Sequence, residues 1–237
     1  DFQGQSPLHI AVNLGMHEMV QELIIQGAHL DPLDNEEATP LMYALQLGRV
    51  GIAALLVRSG ASLQRQRSDG ASPLHLCLHS LHRHMQRAEE SAKSWTSLHI
   101  LVLTLIACEA PLNIQDQRGD TPLHLCGRLP YGKSLLWLVM LKSGARTGVR
   151  NMDGEAPYFS FNHQRLDKMR ESAEQDAARC LSVIGAPYFM PKALGKWMYC
   201  RVARKLEKHG LVNRLLAYSK VHGLKAGDDV TELLDPR

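Results

Sequence analysis

Aromatic residues are scarce in this chain of 237 residues, at 5% against 45% hydrophobic overall. That balance excludes an aromatic-rich barrel and points to Leu, Ala and Val packing between helices. Long apolar runs are absent as well. The most extended one, around Leu98 to Cys108, falls well short of the roughly 20 residues that a membrane span requires. Charge of one sign is not in excess: 27 Lys and Arg against 24 Asp and Glu give +3, which excludes a polyanion as partner of the whole surface. Five cysteines at irregular spacing exclude a disulfide framework and imply reduced thiols in an intracellular compartment, whether cytoplasm, nucleus or organelle. No secretory signal and no initiator Met open the chain, so the expectation is a soluble protein met as a processed or excised fragment. Missing too is any nucleophile with an oriented base, or any paired acid and base. The reading is a non-enzyme with no cofactor.

What the chain does have is a beat. Ser6, Thr39 and Ser72 each precede a proline, in two equal steps of 33 residues. Gly27-Ala28 and Gly60-Ala61 each follow their Ser or Thr by 21 residues. The fullest form of the unit is Asp116-Gln-Arg-Gly-Asp-Thr-Pro-Leu-His-Leu-Cys126. Ser6, Thr39, Ser72 and Thr121 are N-cap residues whose hydroxyls accept from amides of the following turn. Pro7, Pro40, Pro73 and Pro122 then occupy the first helical position, where a missing N–H costs nothing. A first helix ends near Gly15 or Gly48, and a second runs to a glycine suited to a left-handed cap, such as Gly27, Gly60 or Gly144. One unit is therefore two antiparallel helices plus a projecting loop, which buries its apolar faces only by stacking on neighbours.

A 33-residue period with a T-P-L-H core resembles the ankyrin repeat family. The resemblance implies an all-α solenoid of helix-turn-helix units with projecting hairpin loops. The units read 1–33, 34–66, 67–115, 116–150 and a degenerate 151–186, in which Ala156 has lost the capping hydroxyl; a basic helical extension follows at 187–237. In repeat two, Glu37 replaces the turn glycine, so the Asp34–Glu37 loop is expected to be an acidic solvent tip, less tightly turned. In the third unit the corresponding spacing, from Ser72 to Glu109-Ala110, grows by 16 residues. The excess, at about 79–94, is polar and helix-forming, and reads as an extension of the first helix plus a surface loop outside the stack.

The extension after Pro187 carries nine Lys and Arg against one acid between residues 187 and 225. Its helical stretches are expected at Pro191–Lys208, Leu211–Val221 and Val230–Leu234. Trp197, Val202 and Leu206 are expected to cap the open end of repeat five, on a helix spanning about Leu166 to Ile184. Arg201, Arg204, Lys205 and Lys208 would then face solvent, as a docking surface for an acidic partner or RNA.

Two motifs invite chemistry. Gly127 to Ser134 matches the phosphate-loop pattern GxxxxGK[ST], but that motif needs a preceding strand, and the residues before it read as a helix. His75, Cys77, His79, His82 and His84 cluster like metal ligands. His9, His75 and His124, however, fill the position where, by the resemblance, the imidazole hydrogen-bonds within and between repeats. Cys77 and Cys126 fill the small-residue position of Ala11 and Ala44, so no metal is expected. The family binds proteins through loop tips and first helices. Carried onto this chain, the contact positions are Gln3, Gln5, Asn13, Asn35, Glu36, Gln46, Asp69, Ala71, Gln117, Arg118 and Asp120. The implied role is a protein-interaction module, a scaffold or adaptor and possible subunit of a larger assembly. The alternative is a nucleic-acid-associated protein that uses the basic extension.

Overall fold

A computed structural model describes residues 3–86, 92–130, 133–157, 172–178, 180–181 and 192–210. The expected helices at 211–221 and 230–234, and most of the one at 166–184, lie outside them. Among the described residues every regular element is a helix, and none is long and apolar enough to cross a membrane. Paired helices follow the beat: α1 (Pro7–Leu14) with α2 (His17–Ile25), α3 (Pro40–Gln46) with α4 (Val50–Arg58), α5 (Pro73–Gln86) with α6 (Ala92–Ala107), and α7 (Pro122–Gly127) with α8 (Lys133–Lys142). First helices stack on first helices and second on second, from α1 to α7 and from α2 to α8. The four pairs form a solenoid of helix-turn-helix units, the architecture that the resemblance to ankyrin repeats implies. Leu41, Leu45, Leu56, Leu74, Leu78 and Leu101 are fully buried in one continuous core. Each contributes about 1.5–3 kcal/mol in transfer from water.

The caps are local. The Ser6 hydroxyl accepts from the His9 amide at 3.4 Å, and Thr39 accepts from the Met42 amide at 3.4 Å. α1 ends on Gly15 at φ 75°. The guanidinium of Arg49 occupies the space that a side chain there would need, and its Nη2 donates to the Asn13 carbonyl at 2.7 Å.

Three expectations need correction. First, the Glu37 loop is not looser. Glu37 adopts φ 58°, close to Gly70 at 75° and Gly119 at 73°. Its amide donates to the Asp34 carbonyl at 3.0 Å, as Gly70 donates to Arg67 at 2.8 Å. The surrounding turn imposes the left-handed conformation on a residue that does not favour it. Asp34 is itself buried rather than part of a solvent tip: its carboxylate accepts from the amides of Glu36 at 2.9 Å and Ala38 at 2.8 Å.

Second, residues 79–86 of the insertion are not outside the stack; the expected surface loop falls mostly on 87–91, outside the described residues. α5 reaches Gln86, and its extra turns bury Ser80, Leu81 and Met85 against the core. They cover Gly48, where an added Cβ would lie 3.0 Å from His84 Nε2 and 3.4 Å from Ser80 Oγ. Apolar residues at helical spacing within the polar stretch carry it inward.

Third, the helix of the C-terminal extension, α9 (Lys192–Lys208), packs against the second helices α6 and α4. The surface it covers includes the outer side of repeats two and three, a contact that was not expected; most of the expected cap on the helix at 166–184 lies outside the described residues. Met198, Tyr199, Val202, Ala203 and Leu206 are buried there, and Trp197 is half-buried. Upstream, residues 172–178 are helical and bury Ala173 and Ala177.

Candidate functional site

The projecting loops and the exposed side of the first helices form one continuous surface. An Asx-type turn shapes each loop. Asp116 Oδ1 accepts from the amides of Arg118 and Asp120, each at 2.9 Å, and Asn151 Oδ1 from those of Asp153 at 3.1 Å and Glu155 at 2.9 Å. Repeat three has Arg67 at that position, and Asp69 takes over by accepting from the Ala71 amide at 3.0 Å. Successive loops are then laddered together. The amides of Asn35, Ser68, Gln117 and Met152 donate to the carbonyls of Gln3, Glu36, Asp69 and Arg118 at 3.0, 3.1, 2.9 and 2.9 Å. Loop spacing along the surface is fixed by this ladder and not left to side-chain packing.

The TPLH histidines lock loops to helices. His75 Nδ1 accepts from the Ser72 amide at 3.2 Å, and Nε2 donates to the Asp120 carbonyl of the next repeat at 3.0 Å. His9 does the same between Ser6 and Ala38, and His124 between Thr121 and Glu155. A carbonyl only accepts, so each ring is the neutral tautomer with its proton on Nε2. Burial holds His9 and His75 below the ordinary value of 6.5, outweighing the backbone hydrogen bonds that act the other way. Repeat two has Met42 here, buried, and makes no such bridge.

Side chains on this surface are cross-linked. Gln5 Nε2 donates to the Tyr43 hydroxyl at 3.1 Å, which donates to Asp34 Oδ2 at 2.7 Å. Arg67 Nη1 donates to Gln46 Oε1 at 3.3 Å while its other nitrogen pairs with Asp69. Arg128 pairs with Asp120 at 2.6 Å and 3.1 Å, and Asn151 Nδ2 also donates to Asp120 at 2.9 Å. Burial pushes the Asp34 and Asp120 carboxyls up. Hydrogen bonds from Tyr43 and two amides, and from Arg128 and Asn151, outweigh it and hold both below 3.8. For Asp69 the Arg67 hydrogen bond is the largest effect and acts in the same downward direction.

Of the expected contact positions, Gln3, Asn13, Asn35, Glu36, Gln117 and Arg118 are exposed, and Gln5, Gln46 and Asp69 are half-buried. Ala71 and Asp120 are a correction. Both are buried, Asp120 at 1% exposure, and they serve the turn and the Arg128 pair. Tyr43, Arg67, His79 and Arg128 belong to the same surface and were missed. Stepping Asn13 and Gln46 forward by 33 residues reaches His79, and the longer step from Ser72 to Thr121 carries His79 to Arg128. That register was the available signal.

Arg201, Arg204, Lys205 and Lys208 share one side of α9 by their spacing, but they are not equally exposed. Arg201 lies 5.9 Å from the Trp197 ring centroid. Lys205 is a second correction: it is half-buried in a cleft shared with Glu109. Arg204 and Lys208 are exposed.

Helix α7 precedes the phosphate-loop lookalike, and Lys133 Nζ donates to the Gly127 carbonyl at 3.5 Å. Tyr131 and Gly132 lie outside the described residues. No group of three or more His, Cys, Asp or Glu among the described residues could hold a metal ion. Burial alone pushes the Cys77 thiol far up and is the largest effect on Cys126. Both are packing groups and not thiolates.

Comparison with known proteins agrees with this geometry. The family profile described as ankyrin repeats (3 copies) matches residues 1–67. The chain is 29% identical over 60% of its length to transient receptor potential cation channel subfamily A member 1 of Drosophila melanogaster, covering 11% of that protein. It is 30% identical over 52% of its length to the B-cell lymphoma 3 protein homolog of Mus musculus, covering 24%. Against NF-kappa-B inhibitor zeta of Bos taurus the figures are 24% identity over 66% of this chain and 30% of the relative. The chain thus spans under a third of the length of each of these relatives.

Proposed function

Ankyrin repeats occupy residues 1–67 of this chain, a kind of repeat that generally mediates protein–protein interaction, and from that premise we propose that the chain is a non-catalytic interaction module acting as a scaffold or adaptor. The partner, in this reading, is a folded protein that lies along the loop tips and the exposed side of α1, α3, α5 and α7. One observation carries it. The loops are held in fixed register by backbone hydrogen bonds, while Asn13, Gln46, His79 and Arg128 are presented at equivalent positions on successive helices. A pre-ordered polar surface of this kind binds without a large ordering cost.

The relatives include a cation channel subfamily member and an NF-kappa-B inhibitor, so the reading extends to the class of partner and no further. RNA is not taken up as a second reading, because Lys205 turns into a cleft and Arg201 lies along Trp197. Nucleic-acid binding calls for a basic stripe presented evenly to solvent.

The test is paired capture from native extract with the unaltered chain and with a Glu36→Lys, Arg118→Glu variant. Partners retained by the former and lost by the latter support the reading. Equal retention by both would count against it.

A further inference from the structure

The C-terminal ends of α6, α8 and α9 meet around a cavity of about 420 Å³. Three lysines line it, Lys142, Lys205 and Lys208, together with His209 and Ser143, and the only carboxylate among the lining residues described is Glu109. With the imidazole neutral, the lining carries a formal +2. The ordinary explanation for lysines at such a corner is attraction to helix carbonyls. It accounts for Lys142, whose Nζ donates to the His209 carbonyl and ties α9 to α8. Each helix end, however, is already closed by its own backbone bonds: Ala110 to Leu105, Ala145 to Met140, and Gly210 to Glu207, at 3.0, 3.0 and 2.8 Å. Neither the Lys205 nor the Lys208 ammonium has a hydrogen-bond or ion-pair partner among the described residues, although Lys205 is half-buried. Burial, then neighbouring Lys208, disfavours the charged form of Lys205; burial and all three lysines do the same to His209. Like charges gathered in one cleft are relieved by a counter-charge.

We propose that this cavity is an anion site for a phosphate dianion, held by Lys205 and Lys208 with Ser143 as a neutral donor, its oxygen accepting from His209 Nε2 at 3.2 Å. A dianion matches the +2 lining, and lysine ammonium groups suit phosphate as point charges. The site lies on the second-helix side and is independent of the loop surface.

The test is titration calorimetry on the 237-residue chain with sodium phosphate, against sodium chloride at matched ionic strength. O-phosphoserine as a second titrant separates a free phosphate from a phosphate ester. Saturable binding of either supports the site, with affinity at least about tenfold weaker in Lys205→Gln, Lys208→Gln. The charge-matched control Arg65→Gln, Arg83→Gln should keep the wild-type affinity within about twofold, because neither of these exposed residues lines the cavity. Circular dichroism checks that both variants keep their helices. No saturable binding of either titrant, or equal weakening in both variants, would overturn the proposal.

Discussion

His9, His75 and His124 fill one position in three repeats and make the same pair of hydrogen bonds. Their placement was legible because the TPLH motif fixes the imidazole one turn into a capped helix, beside the next loop. A pH dependence follows from it. His9 and His75 titrate below their unfolded value of 6.5 in the folded chain. The unfolded chain therefore binds more protons as pH drops, and stability present above 6.5 is lost as pH falls through the folded values. Urea midpoints should accordingly be lower at about pH 5 than at about pH 7.5, and less so in His75→Gln; midpoints flat across that window would contradict the account. The carboxylates of Asp34 and Asp120 extend the loss below 3.8. Glu37 was not legible, since a sequence gives no sign that neighbouring hydrogen bonds hold a residue at φ 58°. Left-handed backbone costs a residue with a Cβ roughly 1 kcal/mol, partly offset by the freedom glycine has when unfolded. Glu37→Gly should thus stabilise the chain by up to about 1 kcal/mol in chemical denaturation, and a destabilised variant would show that the carboxylate matters more than the turn.

At the scale of elements, the period located α1 to α4 closely because capping hydroxyl, proline and glycine recur at fixed steps. It failed at the insertion for a physical reason. Residues 79–94 are polar on average, but burial is decided by which side of the helix the apolar residues share, and Leu81 and Met85 share the core side with Leu74 and Leu78. Leu81→Ala and Met85→Ala should each cost about 2–4 kcal/mol in urea denaturation. Deleting residues 80–94 should be more damaging than either. Unchanged stability in all three would return the insertion to the surface. The stripe on α9 said only that Val202 and Leu206 would be buried; a stripe does not name the surface that covers it. Since that surface is α6 and α4, removing residues 187–237 should lower the melting point and expose Cys108, which α9 helps to shield, to thiol reagents. An unreactive Cys108 in the truncated chain would argue against the docked position.

For the whole molecule, the solenoid separates two sides with different duties. Second helices carry α9 and the lysine-lined cavity, whereas loops and first helices present the laddered polar surface. The general class of fold and of function was readable from the repeat. The proposed contact surface was readable only in part, because Asp120 and Ala71 look like loop-tip residues in the motif yet are consumed by the turn. Arg67 and Arg128 gain their places through partners 21 and 8 residues away. The most direct test is hydrogen–deuterium exchange on the chain alone and in complex with a partner recovered by paired capture. The account predicts that protection gained on binding concentrates in loops 34–37, 67–71 and 116–120 and in the exposed turns of α3 and α5. Protection confined to α4, α6, α8 and α9, with those loops unchanged, would contradict it.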